Sequence, residues 1–177
     1  MSAEGARVYT KLESPIGELL LVGDGRLVHG LYMQQGRRPI EIRPTWERAA
    51  EPFVEVQAQL REYFAGERTA FELALNLEGG AFECRVWRAL QEIPSGETIS
   101  YGELARRIGA PSAARAVGLA NGRNPIAVIV PCHRVIGANG ALTGYGGGLE
   151  RKRILLELEL GQGRLQPASG RSPASYW

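Results

Sequence analysis

One of the two cysteines of this 177-residue chain stands directly before one of its two histidines, as Cys132-His133. Pro131 fixes the backbone before the pair, and the apolar run that ends at Val130 predicts a strand leading into it. A cysteine with a pKa of about 8.5 is only a few per cent thiolate at neutral pH, but an imidazole backed by a carboxylate could raise that fraction. Cys132 is therefore a candidate nucleophile with His133 as its base. The alternative is a small buried thiol beside a core histidine, which is common.

The composition excludes several classes of protein. With 44% hydrophobic and 23% charged residues, the chain is typical of globular proteins. No run approaches the ~20 apolar residues of a membrane span and the N-terminus lacks a signal-peptide pattern, so we expect a cytoplasmic protein with no membrane partner. Two cysteines favour a reducing compartment over a disulfide framework. Without CxxC, HExxH or a common zinc-ligand spacing, we predict neither a metal nor a cofactor.

Charge is distributed unevenly along the chain. Residues 1–81 hold 9 basic and 12 acidic side chains, whereas residues 82–160 hold 10 and 7. Every basic residue of the second segment is arginine except Lys152. A positive C-terminal half suits an acidic partner such as nucleic acid, although scatter among solvated charges would give the same numbers.

The first segment, residues 1–78, is predicted to form a small sheet-plus-helix domain. Apolar residues at helical spacing predict a helix from Pro52 to about Ala65, and residues 71–77 could return to strand. His29 lies among apolar residues and is expected to be structural. Three short apolar runs separated by turn residues predict strands at 8–10, 19–22 and 27–31.

The second segment, residues 79–161, is predicted to be mainly helical. The sequence from Ser100 to Glu103 has the capping-box pattern, so a helix should begin there. Ser112 should cap a second helix that runs through Ala120, and two short helices across a tight glycine turn form a helix-turn-helix. Further predicted elements are helices at 82–91 and 150–160 and a disordered tail at 162–177.

The second helix of this pair carries alanines, a glycine and one long cation, Arg115. Small side chains let a helix approach another surface closely. That surface could be a nucleic-acid groove or the protein core, and the sequence leaves both possibilities open.

Five sequence blocks follow one another, namely Ile99-Ser100-Tyr101, Ala114 to Gly118, Asn124-Pro125, Pro131 to Val135, and Thr143 to Leu149. With these blocks the chain resembles the O6-alkylguanine-DNA alkyltransferases, also called methylated-DNA–protein-cysteine methyltransferases, over residues 8–160. The expected fold is α/β (α+β), with a small N-terminal sheet-plus-helix domain followed by a mainly helical, winged-helix-like C-terminal domain that contains the helix-turn-helix.

The resemblance implies a DNA repair protein that acts once. Its helix-turn-helix would bind double-stranded DNA from the minor groove, and an O6-alkylguanine would be flipped into a pocket. The Cys132 thiolate would attack the alkyl carbon, so that guanine leaves and a permanent thioether remains. O4-alkylthymine is a second expected substrate, no cofactor is implied, and a monomer is expected.

The resemblance also implies roles for individual residues. Cys132 would accept the alkyl group, His133 would act as its base through a bridging water, and Glu159 would orient the imidazole. Asn124 would brace the turn that carries the cysteine. Tyr101 would donate its hydroxyl to the guanine ring as the base leaves and help to rotate the phosphate during flipping.

DNA and base contacts are implied in the same way. Arg115 would fill the gap that the flipped nucleotide leaves in the base stack. The backbone carbonyls of Cys132 and Val135 should accept hydrogen bonds from the guanine amino group. The implied DNA-binding residues are Arg115, Tyr101, Ser112, Ala113 and Asn121, and the implied pocket residues are Val135, Tyr145 and Gly146.

Two departures from the family pattern bear on function. Some members hold a structural zinc through N-terminal cysteine and histidine ligands, but His29 is the only such residue before Cys84, so we predict no zinc. Cys84 itself is expected to be a bystander. Some relatives have a serine where Gly146 falls, and a glycine would leave the pocket roomier.

Three other functions would account for parts of this pattern. A lesion-binding alkyltransferase-like protein has a non-nucleophilic residue where Cys132 stands. A helix-turn-helix regulator, with Cys132 as an incidental or redox-sensing thiol, would read base edges with Asn, Gln and several Arg, which the second helix lacks. A cysteine hydrolase would need a histidine remote in sequence, for which His29 is the one candidate.

Overall fold

The structure is a computed structural model that describes residues 6–36 and 39–161. The predicted disordered tail, residues 162–177, lies outside the described residues. Within the described part of the chain, no helix is long and apolar enough to cross a membrane. The strands are β1 (Val8–Leu12), β2 (Leu19–Gly23), β3 (Val28–Met33), β4 (Glu47–Arg48), β5 (Ile99–Ser100) and β6 (Val135–Ile136). The α-helices are α1 (Val54–Phe64), α2 (Ala81–Leu90), α3 (Tyr101–Arg107), α4 (Ala114–Gly122) and α5 (Leu149–Gly161).

The N-terminal strands form one sheet with the order β3-β2-β1-β4. Strand β2 pairs antiparallel with β1 and with β3, while β4 pairs in parallel with β1. All five residues of β2 are buried, which explains why this strand is a continuous apolar run rather than an alternating one. The three predicted strands are confirmed. Strand β4 was not predicted, because it is two exposed charged residues long and has no apolar pattern.

The strand predicted over residues 71–77 is wrong in its extent. Only Leu75 forms a bridge, to Val28 at the start of β3. The Val28 amide donates to Ala74 O at 2.9 Å, and the Asn76 amide donates to Val28 O at 2.8 Å. The apolar residues of this stretch pack against the core as an extended segment, so their alternation reflects burial rather than a ladder.

The two helix starts in the helix-turn-helix differ in outcome. The cap at Ser100 is confirmed, since its Oγ accepts a hydrogen bond from the Glu103 amide at 3.1 Å. The cap predicted at Ser112 is wrong. Helix α4 begins at Ala114 with no side-chain cap, because the preceding Ala113 amide donates to Ala110 O in a backbone turn and the helix starts one residue later than predicted.

The strand predicted to lead into the cysteine is also wrong. Ile126 makes a single bridge to Leu31, and the chain then turns through Val128 before Cys132–Arg134 forms one turn of 3₁₀-helix. The Val128 φ of 70° is unfavourable for a β-branched residue, and the residue is 1% exposed, so tight packing holds this turn. The apolar run is buried by turns instead of by strand pairing.

The two segments share one hydrophobic core, which positions the cysteine loop. From β3, the Leu31 amide donates to Pro125 O at 2.9 Å, and its carbonyl accepts from the Ala127 amide at 3.2 Å. The Trp87 indole of α2 donates to Ala120 O of α4 at 2.8 Å. With the parallel β5-β6 pair beside α3, the predicted fold class is confirmed.

Candidate active site

Cys132 lies at the base of a cavity of about 340 Å³ and is only 5% exposed. Both segments of the chain line this cavity. The end of β3 supplies one wall, Asn121 at the end of α4 supplies another, and the glycine-rich loop 144–147 supplies a third. The thiol can therefore be reached only by a group that enters the cavity.

Asn124 holds the turn that carries the cysteine. Its side-chain amide donates to Val130 O at 2.7 Å, and its Oδ1 accepts from the Ile126 amide at 3.0 Å. The two bonds close the turn around Val128, the residue with the unfavourable φ. This geometry is the bracing role expected for Asn124.

Asn121 does not lie with the other residues expected to bind DNA. It is 3% exposed, and its Nδ2 donates to the Cys132 carbonyl at 3.2 Å. Its place at the end of α4 turns the side chain inward, against the cysteine loop and the cavity. We therefore reinterpret Asn121 as a cavity residue.

Burial raises the pKa of the Cys132 thiol, while the Asn124 side chain and the Lys152 charge act in the opposite direction. Burial thus disfavours the thiolate in the free protein, opposite to the expected increase in its fraction. No direct hydrogen bond joins the thiol to the His133 ring among the described residues. The thiol must therefore lose its proton to a base when it reacts.

His133 and Glu159 form a buried pair. His133 is 0% exposed, and its Nε2 lies 2.7 Å from Glu159 Oε1. Burial works to raise the pKa of Glu159, but hydrogen bonds from His133 and Arg134 outweigh it and bring the pKa to about 2. An ionised carboxylate can only accept, so Nε2 carries the hydrogen and Nδ1 keeps its lone pair. Burial also lowers the pKa of His133, which keeps the ring neutral and able to accept a proton.

Three buried polar atoms around Cys132 have no hydrogen-bond partner among the described residues. They are Asn121 Oδ1, His133 Nδ1 and the Tyr145 hydroxyl. Such atoms are rare in folded proteins, where nearly all buried polar groups are paired. Asn121 and Tyr145 line the cavity together with Cys132, and His133 is the next residue along the chain.

Arg134 is a site residue that sequence reasoning missed. Its Nε donates to Glu159 Oε2 at 2.9 Å and its second terminal nitrogen donates to Oε1 at 2.8 Å, so the pair is bidentate. The remaining nitrogen donates to Ile93 O at 2.5 Å. Arg134 thereby neutralises Glu159 and fixes the plane of its carboxylate, opposite His133.

Lys152 was also missed. It is 0% exposed, and its Nζ donates to Val135 O at 2.6 Å and to Thr143 O at 2.8 Å. Burial lowers its pKa to about 8, while the nearby Cys132 opposes that shift. A signal was available in the sequence, because Lys152 lies three residues before the buried Leu155 and so on the inward face of α5.

The remaining predicted pocket residues lie at the cavity or beside it. Tyr145 is 7% exposed, and burial raises the pKa of its hydroxyl well above the usual range. A Cβ at Gly146 would meet nothing within 4 Å, so this side of the cavity is open. The Tyr101 hydroxyl donates to Thr143 O at 3.2 Å. Val135 is fully buried, and its carbonyl already accepts from Lys152.

The structure brings three of the predicted DNA-binding residues to the N-terminal end of α4. Arg115 and Ser112 are exposed and Ala113 is half-buried. Arg115 makes no ion pair with another residue of the described chain. The opposite face of α4 is buried, since Val117 and Ala120 are 0% and 2% exposed. The small side chains of α4 therefore serve core packing on one face and leave the other face clear.

His29 belongs to a separate cluster in the N-terminal segment. Its Nε2 lies 3.0 Å from Asp24 and its Nδ1 lies 3.0 Å from Glu78. Within residues 6–36 and 39–161, no group of three or more His, Cys, Asp or Glu side chains is arranged to hold a metal ion.

Comparison with known proteins gives consistent matches. A family model described as 6-O-methylguanine DNA methyltransferase, ribonuclease-like domain, matches residues 7–77. Its companion, described as the DNA binding domain of 6-O-methylguanine DNA methyltransferase, matches residues 81–161.

Relatives and solved structures agree with these models. A methylated-DNA–protein-cysteine methyltransferase of Mycolicibacterium paratuberculosis is 56% identical over 91% of this chain and 95% of its own length. One of Methanosarcina acetivorans is 54% identical over 85% and 97%. The crystal structure of Mycobacterium tuberculosis OGT in complex with DNA is 55% identical with a TM-score of 0.82, covering 88% of this chain and 94% of that one.

Proposed function

Because the chain belongs to the 6-O-methylguanine DNA methyltransferase family, we propose that it repairs double-stranded DNA by moving the alkyl group of O6-alkylguanine onto its own Cys132. The chain is a DNA repair enzyme of this family, and DNA is its partner. The observation that carries the assignment of Cys132 is the buried His133–Glu159 pair beside a nearly buried thiol at the base of a cavity.

The transfer needs one base and one acid. The Cys132 thiol passes its proton through a water to His133 Nδ1, the nitrogen with no protein partner. The sulfur then attacks the alkyl carbon, so that a sulfur–carbon bond forms and the carbon–O6 bond breaks with its electron pair going to the base. The leaving guanine accepts a hydrogen bond from the Tyr101 hydroxyl and takes up one proton from water, while His133 releases the thiol proton back to water, so the protons balance. The thiol proton is thus replaced by the alkyl group, and the protein cannot return to its first state.

Base recognition uses groups that the cavity already presents. The Cys132 and Val135 carbonyls each accept one hydrogen bond within the protein, from Asn121 and Lys152, and a carbonyl oxygen has a second lone pair for the guanine amino group. The unpaired Tyr145 hydroxyl and Asn121 Oδ1 offer further polar contacts. O4-alkylthymine would use the same attack geometry with fewer of these contacts.

The exposed end of α4 is proposed to meet the minor groove. Arg115 would enter the base stack, with Ser112 and Ala113 beside the backbone. In this proposal residues 79–161 bind DNA and accept the alkyl group, while residues 1–78 supply one wall of the cavity. A single copy of the chain would act alone, in the cytoplasm.

Glycine at position 146 is proposed to admit bulky alkyl groups. The open space beside it and the apolar end of β3 extend the cavity beyond the reach of a methyl group. A Gly146→Ser variant should retain methyl transfer and lose rate with O6-benzylguanine.

The test is intact-protein mass spectrometry after incubation with a duplex that carries one O6-methylguanine. We expect a gain of one methylene mass that saturates at one per protein and maps to Cys132. Cys84→Ala, the matched control for the other cysteine, should gain the same mass, and Cys132→Ala should gain none. Duplex binding without any mass change would overturn the transfer and favour a lesion-binding protein.

A further inference from the structure

A tyrosine from the N-terminal segment reaches the proposed catalytic pair. Tyr63, on α1, is 1% exposed, and its hydroxyl donates to Glu159 Oε1 at 2.7 Å. Its ring is held by Phe64 and Phe71, each with a centroid 5.3 Å away. Because 96 residues separate Tyr63 from Glu159, nothing in the local sequence pattern pointed to this contact.

Glu159 Oε1 thus accepts three hydrogen bonds, from Tyr63, His133 and Arg134. Burial and the neighbouring carboxylate raise the pKa of Tyr63 well above the usual range of a phenol, so its hydroxyl remains a donor at every working pH. Arg134 supplies the positive charge that faces the carboxylate. The other titratable groups that face the site are Lys152 on α5, Cys132 in the 3₁₀ turn and Tyr145 in the glycine-rich loop.

We propose that Tyr63 is a positioning residue that acts through Glu159 to set the proton affinity of His133. It directs Oε1 toward Nε2 and shares the electron density of that oxygen, so the carboxylate stabilises a protonated imidazole less than it otherwise would. His133 then remains a neutral base at lower pH. The inference rests on the proposed function, since it concerns the base that receives the Cys132 proton.

Two changes at position 63 should shift the pKa of His133 in opposite directions. Without the phenol hydroxyl, in Tyr63→Phe, Oε1 holds the His133 proton more strongly and stabilises the imidazolium. The ring then becomes protonated at a higher pH than in the wild-type protein, and below that pH it cannot act as a base. A 3-fluorotyrosine placed at position 63 is a stronger donor than tyrosine, so it should weaken the carboxylate and shift protonation of the ring to lower pH.

The experiment is the pH dependence of alkyl transfer from free O6-benzylguanine, which avoids DNA binding. We expect the midpoint of the ascending limb to rise by about one pH unit in Tyr63→Phe and to fall with fluorotyrosine. Tyr9→Phe, which removes a hydroxyl from a half-buried tyrosine of β1, should leave the midpoint unchanged.

Imidazole NMR provides a direct readout, because the chain contains only two histidines. With ¹⁵N-labelled histidine, the His133 titration should move as the rate profile does, while the His29 signals serve as an internal reference. An unchanged midpoint and unchanged His133 signals in both Tyr63 variants, even with lowered thermal stability, would overturn the inference. Failure of the wild-type protein to accept any alkyl group would instead overturn the proposed function.

Discussion

The two histidines of the chain each contact a carboxylate, but they differ in how their two ring nitrogens are engaged. His29 is 9% exposed and His133 is 0% exposed, and each contacts a carboxylate within 3.0 Å. Both ring nitrogens of His29 are engaged, Nε2 by Asp24 and Nδ1 by Glu78. His133 uses only Nε2, for Glu159, and its Nδ1 is unpaired.

The carboxylates also differ in their exposure. The Glu78 side chain is 50% exposed and that of Asp24 is 31% exposed, whereas that of Glu159 is 1% exposed. Water therefore screens the N-terminal cluster, and its ion pairs contribute little individually. The C-terminal pair is buried, so each of its charges depends on a protein partner. A histidine becomes a candidate base when one ring nitrogen is held by a carboxylate, the other has no protein partner and the ring is buried.

The largest expected effect is a difference in the rate of alkyl transfer between variants of the two histidines. His133→Asn removes the only nitrogen that can take the Cys132 proton, and alkyl transfer should slow by about 100-fold to 10,000-fold. His29→Asn should keep the wild-type rate, because both nitrogens of that ring are committed to structure. Single-turnover transfer from O6-benzylguanine measures both variants. Equal losses of rate in the two variants would show that the two histidines do not differ in function.

The second effect concerns stability. Glu159→Gln leaves the buried Arg134 guanidinium without its counter-charge, and the free energy of unfolding should fall by about 3–5 kcal/mol. Glu78→Gln removes a half-exposed ion pair with Arg7 and should lower it by at most about 1 kcal/mol. Urea denaturation followed by circular dichroism provides both values. A Glu159 variant as stable as the Glu78 variant would show that the C-terminal pair is solvated.

The third effect concerns the exposed face of α4 and leaves the buried site intact. Arg115→Ala removes an exposed side chain from α4, so repair of duplex DNA should slow by about 10-fold to 100-fold through lost stacking and base flipping. Reaction with free O6-benzylguanine should be unchanged, since His133 and Glu159 are untouched. Matched single-turnover rates on the two substrates test this, and equal losses on both would contradict the assignment.

The sequence predicted those parts of the site that local chemistry determines. Cys132 and His133 are adjacent, and the Ser100 cap is encoded within four residues. Glu159 could be chosen over Glu150 and Glu157 only through the family resemblance, because all three stand on the predicted last helix.

What could not be predicted depends on contacts between distant segments. Tyr63 reaches Glu159 from another part of the chain, and the single bridge from Leu31 to Ile126 replaces the strand expected before the cysteine. The apolar run before the cysteine predicted burial correctly but backbone conformation wrongly, because turns and strands bury such runs equally well. Asn121 was assigned to DNA binding through the family resemblance alone, and its burial against the Cys132 carbonyl depends on how the cysteine loop folds against α4.

The smallest expected effect is that the two regions lose stability in different pH windows. Burial holds the pKa of His133 below its ordinary value of 6.5, so below about that pH the unfolded state binds more protons and stability falls. Glu159 follows, because its pKa drops from 4.5 to about 2 on folding and its contribution is lost as the pH falls through that interval. In the N-terminal cluster, the Asp24 and Glu78 pKa values lie below their ordinary range, owing mainly to backbone amides for Asp24 and to Arg7 against burial for Glu78.

The His29 cluster therefore loses its carboxylate contributions only in the acid range where Glu159 also titrates. Between about pH 6.5 and pH 5, stability should fall as the pH is lowered, because the unfolded state takes up a proton that the buried His133 does not. Each tenfold difference in proton affinity between the folded and unfolded states contributes about 1.4 kcal/mol. His133→Asn should flatten the stability curve over this window and retain the steeper loss below it, as measured by urea denaturation at each pH. If the stability of His133→Asn still falls with pH over this window, the titrating group lies elsewhere and the proposed difference between the two regions is wrong.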